Sequence, residues 1–118
     1  MIPSRDVPQY GVFVARQTRV LEQAGCAVEI VGLEQQDTGR VGSARKYLGL
    51  RRAGARTADR MQPDVVLAHY LVPTALMART AAKAAGAPYV LVAHGGDVTH
   101  LERSRALRQS VRRAIRGA

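Results

Sequence analysis

Residues 63–97 read PDVVLAHYLVPTALMARTAAKAAGAPYVLVAHGGD, and this stretch decides the fold. Val65, Val66, Leu67 and Ala68 form an unbroken apolar run bounded by the turn signal Pro63-Asp64. Such a run is the pattern of a strand covered on both faces. Residues 74–85 are Ala-rich and helical in rhythm, with Pro73 near the first turn, where its missing N–H costs nothing. Gly86 stops the helix and Pro88 prevents its continuation. Tyr89, Val90, Leu91, Val92 and Ala93 then give a second apolar strand, closed by a tight loop at His94, Gly95, Gly96 and Asp97. Strand, helix, strand with short connections predicts a parallel pair.

Working outward, the same alternation continues. Phe13, Gln17, Val20, Leu21 and Ala24 fall at helical spacing and predict one buried helix face. Gly25 is the expected stop, because glycine accepts the left-handed turn. Residues 27–31 read as a strand, and residues 34–42 as a polar loop. Across residues 43–61, Ala44, Tyr47, Leu48, Ala55, Ala58 and Met61 keep a helical rhythm. Gly49 and Gly54 each cost roughly 1 kcal/mol there, so one weak helix and two short ones both remain open. Thr99 with Glu102 has capping-box spacing for a last helix whose apolar side is Leu101, Leu107, Val111, Ala114, Ile115 and Ala118.

The expected fold class is therefore α/β, a Rossmann-like doubly wound parallel sheet in one domain over residues 1–118. Doubly wound domains open with a strand that becomes central, and Met1-Ile2 is too short to supply one. A gap in a sheet would leave buried backbone groups unpaired. The expectation is an amino-terminally shortened piece lacking its first strand, with Met1 an internal Met.

Composition narrows the function classes. The chain has 118 residues, 47% of them apolar, so disorder is excluded and one core is affordable. No apolar stretch approaches the ~18 residues of a membrane span, and no basic-then-apolar leader opens the chain. Cys26 is the single cysteine, which excludes an internal disulfide and any multi-cysteine zinc site. A buried small thiol is its expected state. His69, His94 and His100 lack metal-ligand spacing, so no metal is expected. His100 falls on an expected helix surface and is given no role. Glu22 and Glu29 fall on different elements and make no catalytic pair. The default location is the cytosol.

The net charge is +9, and all but two of the basic residues are Arg. They run periodically from Arg45 to Arg60 and from Arg103 to Arg116, as charged helix faces do. Solvated faces explain such runs, and so does contact with phosphate, anionic lipid or nucleic acid. A nucleic-acid- or anion-binding module without catalysis is the alternative function. It finds no aromatic platform, zinc-finger spacing or helix-turn-helix in the sequence, so nucleic acid is not the expected partner. A stand-alone flavodoxin-like domain needs a complete sheet and an early phosphate-acceptor Asp, and neither is evident.

Three segments together resemble one family. IPSRDVPQYGVFVARQTRVLEQAG, residues 2–25, is similar to an opening loop whose Gly turn leads into a Gly-terminated helix. Residues 63–97 are similar to a strand, helix and strand ending in a His-Gly-x-Asp loop. The basic helix from Thr99 follows that loop. The family is the retaining glycosyltransferases of family 4, with the two-domain GT-B fold. The resemblance implies that the chain is the amino-terminal, acceptor-side half of such an enzyme, with the carboxyl-terminal donor-binding domain outside it. It implies a nucleotide-diphosphate sugar as donor, a saccharide or lipid-linked acceptor, no permanently bound cofactor, and work at the inner face of a membrane for many members.

Site residues follow from the resemblance position by position. His94 matches the family's active-site His, which approaches the donor sugar; alone, it would read as a His held by loop backbone. Gly11, with the N–H of Val12, matches the phosphate-proximal turn, and a plain turn is the other reading. A helix-opening Gly supplies donors for the charge that develops on a leaving phosphate. His69, Tyr70, Gly95, Gly96 and Asp97 are the implied substrate-binding residues. His69 equally reads as a packed strand-end residue, and the family's further His two residues earlier is replaced by Leu67. Asp97 is open to three roles: orienting the loop, reaching acceptor hydroxyls, or capping the helix near Thr99.

Overall fold

The computed structural model describes residues 11–32, 40–97, 101 and 105–118. The chain divides into two compact units, residues 1–46 and 47–118.

In the first unit, α1 spans Val12–Gln23. Gly11 precedes it with φ 73, in the left-handed region open to glycine. Its end is held by a Schellman motif: Gly25 N–H donates to Glu22 O, and Cys26 N–H donates to Leu21 O, both at 3.0 Å. Gly25 carries the required positive φ of 88. The start and stop are those expected, but the predicted buried stripe is not buried. Phe13 is 42% and Val20 61% exposed, and no α1 residue is fully buried. Periodicity records which face favours burial and not what covers it; a helix of 12 residues is marginal alone and draws most of its stability from the packing of such a face. Residues 27–31 make no strand, and Ile30 and Val31 are exposed. A strand exists only where a neighbour takes its N–H and C=O groups, and a sequence pattern does not provide one. Cys26 is exposed, not buried.

The helix α2 spans Arg40–Met61. It is one continuous helix, which settles the choice left open by Gly49 and Gly54. A Cβ at either glycine would meet nothing within 4 Å, so neither is required by packing. The helix also starts inside the expected 34–42 loop. Ala58 is buried, while Tyr47 and Leu48 are exposed.

The second unit contains the sheet. The strands β1, Val66–His69, and β2, Tyr89–Val92, are parallel. Between them runs α3, Thr74–Ala85. The register pairs Val66 with Tyr89, Leu67 with Val90, Ala68 with Leu91, and His69 with Val92. Alternation along each strand then puts Val66, Ala68, Tyr89 and Leu91 on one face. That face packs on Ala78 and Ala82 of α3. Ala75, Ala78, Ala81 and Ala82 are all buried, and their small side chains let α3 lie close to its neighbours. The opposite face is less covered than a continuous apolar run predicts, with Val90 49% exposed.

The last described helix, α4, spans Arg105–Ile115 and packs on α3. Its expected apolar side divides: Val111 and Ala114 are buried, Leu107 and Ile115 exposed. The buried Tyr89 hydroxyl donates to the Ala114 carbonyl oxygen, joining β2 to the end of α4. Helical structure also begins at Gly95, before the predicted start. The Thr99 and Glu102 cap and His100 lie outside the described residues.

Candidate functional site

The carboxyl ends of β1 and β2 lie side by side, because a parallel register places His69 opposite Val92. Ligands of open α/β sheets bind beyond such ends. Here the chain leaves each strand through a short connection carrying the candidate residues.

After β1, Tyr70 N–H donates to Val92 O at 2.9 Å, extending the ladder by one residue. Tyr70 then adopts φ 70, a left-handed conformation that few non-glycine residues occupy. Surrounding contacts hold it there. The Thr74 hydroxyl, at the first turn of α3, donates to the carbonyl oxygen of His69 at 2.8 Å and is also bonded to that of Tyr70. The connection is thereby tied to the helix that follows it.

After β2, His94 N–H donates to Asp97 Oδ2 at 2.8 Å, and Asp97 N–H donates back to His94 O at 2.9 Å. With helical structure from Gly95, His94 occupies the N-cap and Asp97 the third helical position. A third-position carboxylate reaching back to the N-cap N–H is one half of a capping box. Asp97 therefore accepts from the N-cap N–H of a helix start at Gly95; the reading that places a helix start at Thr99 lies outside the described residues. Its other oxygen does more. Oδ1 accepts from the N–H groups of Leu71 at 2.9 Å and Val72 at 3.3 Å. One carboxylate, 2% exposed, thus binds the connection after β1 to the connection after β2. With three backbone donors on two oxygens, this buried acid is satisfied as a buried charge must be.

This scaffold brings three rings together. Nδ1 of His69 and Nε2 of His94 lie 3.3 Å apart. The ring of Tyr70 lies 4.4 Å from that of His94, centroid to centroid, tilted by 37°. Burial, and secondarily the neighbouring His94, lowers the pKa of His69 below its ordinary value. Both causes favour a neutral ring. Gly95 and Gly96 border this cluster, and a Cβ at either would meet nothing within 4 Å. The backbone at the helix start is therefore open to approach.

Of the residues singled out in the sequence, His69, Tyr70, His94, Gly95, Gly96 and Asp97 gather at one edge of the sheet. Gly11 and Val12 belong to the other compact unit. There Gly11 stands at the N-cap of α1 without a side-chain cap, its carbonyl accepting from Ala15 N–H at 3.0 Å. Leu71, Val72 and Thr74 were not singled out, yet their backbone or hydroxyl groups hold the cluster. Thr74 was visible as the first residue of the Ala-rich helix. Nothing in the sequence marks the Leu71 and Val72 N–H groups, which matter only through their fold partner Asp97. Among the described residues no group of three or more His, Cys, Asp or Glu could hold a metal, and no helix is long and apolar enough to cross a membrane.

Compared with known families, residues 9–118 match the model of a family described as glycosyl transferase 4-like. Neither the curated proteins nor the solved structures gave a match.

Proposed function

The chain belongs to the glycosyl transferase 4-like family, and from that premise we propose that it is the acceptor-side part of a retaining, two-domain glycosyltransferase of GT-B architecture. The donor is a nucleotide-diphosphate sugar and the acceptor a saccharide or lipid-linked glycan. A second domain, outside this chain, holds the nucleotide. The observation that carries the reading is the meeting of His69, Tyr70 and His94 at the carboxyl ends of two parallel strands, in a chain of this family.

Imidazoles and a phenol suit sugar hydroxyls, which both give and accept hydrogen bonds. His94 faces the donor sugar, and His69 and Tyr70 line the acceptor side. Gly95 and Gly96 let substrate approach the backbone, and Asp97 holds the two connections in register. For Gly11 and the Val12 N–H, at the start of α1 in their own unit, the resemblance of residues 2–25 supports a phosphate-proximal role. No resident cofactor or metal is called for.

An amide-resolved NMR titration of the chain with a panel of nucleotide-diphosphate sugars tests this. Weak binding that perturbs residues 69–70 and 94–97 is expected, without turnover. Absence of any perturbation at those residues at millimolar ligand would remove the reading, and robust sugar transfer by the chain alone would remove its two-domain part.

A second observation favours placement at an anionic surface on the inner face of a membrane. Arg105, Arg108, Arg112 and Arg116 recur at spacings of three, four and four residues, the period of one helix face. All four are exposed, as are Leu107 and Ile115 of the same helix. Each cation near an anionic leaflet contributes about 1 kcal/mol. Sedimentation with anionic and neutral vesicles at low and high salt checks this; equal sedimentation with both rejects it. Filter binding to duplex DNA over the same salts addresses nucleic acid, where a steep salt slope without base preference reports only charge.

A further inference from the structure

We propose that His69 is a positioning residue that sets the tautomer of His94. The inference rests on the reading that His94 meets a sugar hydroxyl, and it concerns which of its nitrogens is a donor. A neutral imidazole carries one ring proton, on Nδ1 or on Nε2, and the other nitrogen is an acceptor. Nε2 of His94 lies 3.3 Å from Nδ1 of His69. At that distance the pair holds one proton between the facing nitrogens. Two protons would oppose donor to donor, and none would oppose lone pair to lone pair.

The tautomers are therefore complementary. If His94 carries its proton on Nε2, His69 carries its own on Nε2, and Nδ1 of His94 is an acceptor. If His69 carries its proton on Nδ1, His94 must carry its own there too, and Nδ1 of His94 becomes a donor. Either way, choosing the state of His69 chooses the hydrogen-bonding character that His94 presents.

The backbone makes the contact durable. The His69 carbonyl is held by the Thr74 hydroxyl, and the next residue's N–H by Val92 O. The His94 N–H is held by Asp97, which also grips Leu71 N–H. Both rings therefore project from connections joined by one carboxylate. The titratable groups beside the pair include Tyr70, ring against His94, and Asp97, whose oxygens are engaged by backbone N–H groups; the charge of the chain's amino terminus also opposes protonation of His69. A first added proton goes to the remaining outer nitrogen, Nδ1 of His94 or Nε2 of His69, with one proton still between the facing nitrogens; a second would put two protons between them and is opposed by like charge, so the steps belong to the pair.

Ring nitrogen NMR of the full chain, labelled with 15N at histidine, tests the proposal over pH 4–9. The expected result is that His69 and His94 each report the same two steps. In H69F, His94 is expected to titrate in one step, and its neutral-form nitrogen shifts are expected to move. H69N places an amide near the former Nδ1 and is expected to return those shifts toward the parent values while leaving one step. Independent single steps for the two rings in the parent chain overturn the proposal, as do His94 shifts that are identical in the parent and in folded H69F. If H69F fails to fold, the parent titration and H69N still decide. No substrate enters this measurement. Coupled steps without nucleotide-sugar binding support the pairing and remove the glycosyl-transfer reading; uncoupled steps with binding intact remove the pairing alone.

Discussion

The hydroxyl of Tyr89 and Gly117 meet so closely that a Cβ on the glycine would sit 2.9 Å from the phenol oxygen. Tyr89 opens β2, and its hydroxyl donates to the carbonyl oxygen of Ala114, near the end of α4. Such end carbonyls have no partner within their helix. That carbonyl also accepts from Gly117 N–H at 3.0 Å, so Tyr89→Phe removes one of its two donors, at an expected cost of about 0.5–1.5 kcal/mol. Gly117→Ala forces the ring or the chain end to move, at about 1–3 kcal/mol. In the double variant the new methyl finds the space the hydroxyl vacated. Urea unfolding of the parent, both single variants and the double variant reads the coupling. A double variant that loses the full sum of the single costs would refute the close approach.

Asp97 supplies a second prediction. Asp97→Asn keeps an acceptor for Leu71 and Val72 N–H but turns an amide donor toward His94 N–H, or the reverse if the amide flips. One donor loses its partner in the first arrangement, His94 N–H, and two in the second, Leu71 and Val72 N–H, so at least about 1–3 kcal/mol of stability goes. Asp97→Ala strips all three N–H groups and is expected to cost more. Thermal unfolding ranks the two, and equal melting of parent and Asp97→Ala would contradict the bridge.

Gly95 and Gly96 separate packing from binding. Since a Cβ at either meets open space, Gly95→Ala and Gly96→Ala are expected to fold with stability within about 0.5 kcal/mol of the parent or better. The same methyl groups occupy the approach to the helix start. Nucleotide-sugar perturbations at residues 94–97 are expected to weaken several-fold, as read by the NMR titration. Unchanged binding in both variants would place the substrate elsewhere.

Acid is expected to destabilise the fold through His69. Burial, then His94, lowers its pKa in the folded chain below the ordinary 6.5. The unfolded chain therefore takes up the proton at higher pH than the folded one. Stability from this residue is complete above about pH 6.5, falls as pH drops toward the lowered value, and is constant below it. Urea midpoints of the parent between pH 7.5 and 5 are expected to decline more steeply than those of H69N. Parallel curves would show that His69 does not contribute.

The segment from β1 to β2 was legible because every signal in it is local. Pro63, Pro73, Gly86 and Pro88 punctuate it, and its apolar runs are too short for helices. Other parts depended on partners that sequence does not display. Residues 27–31 have the composition of a strand, yet pairing is a property of two segments. Phe13 and Val20 lie on the expected face of α1, and periodicity alone does not cover them. The site was read from position: His69 ends β1 and His94 follows the end of β2 by two residues, so a parallel register brings them near. Their nitrogen contact was not readable, since it depends on the left-handed turn at Tyr70 and the grip of Asp97. The His-x-x-Asp spacing did hold the capping signal, but two glycines disguised a helix start as a loop.

The engagement of Leu71, Val72 and His94 by one carboxylate has an engineering consequence. The two strand exits are not separable modules. Inserting or deleting a residue at 71–72 would shift the N–H groups that Asp97 clasps and so transmit the change to His94, on the neighbouring exit. Loop grafts meant to retune recognition would need to exchange both connections as a matched set.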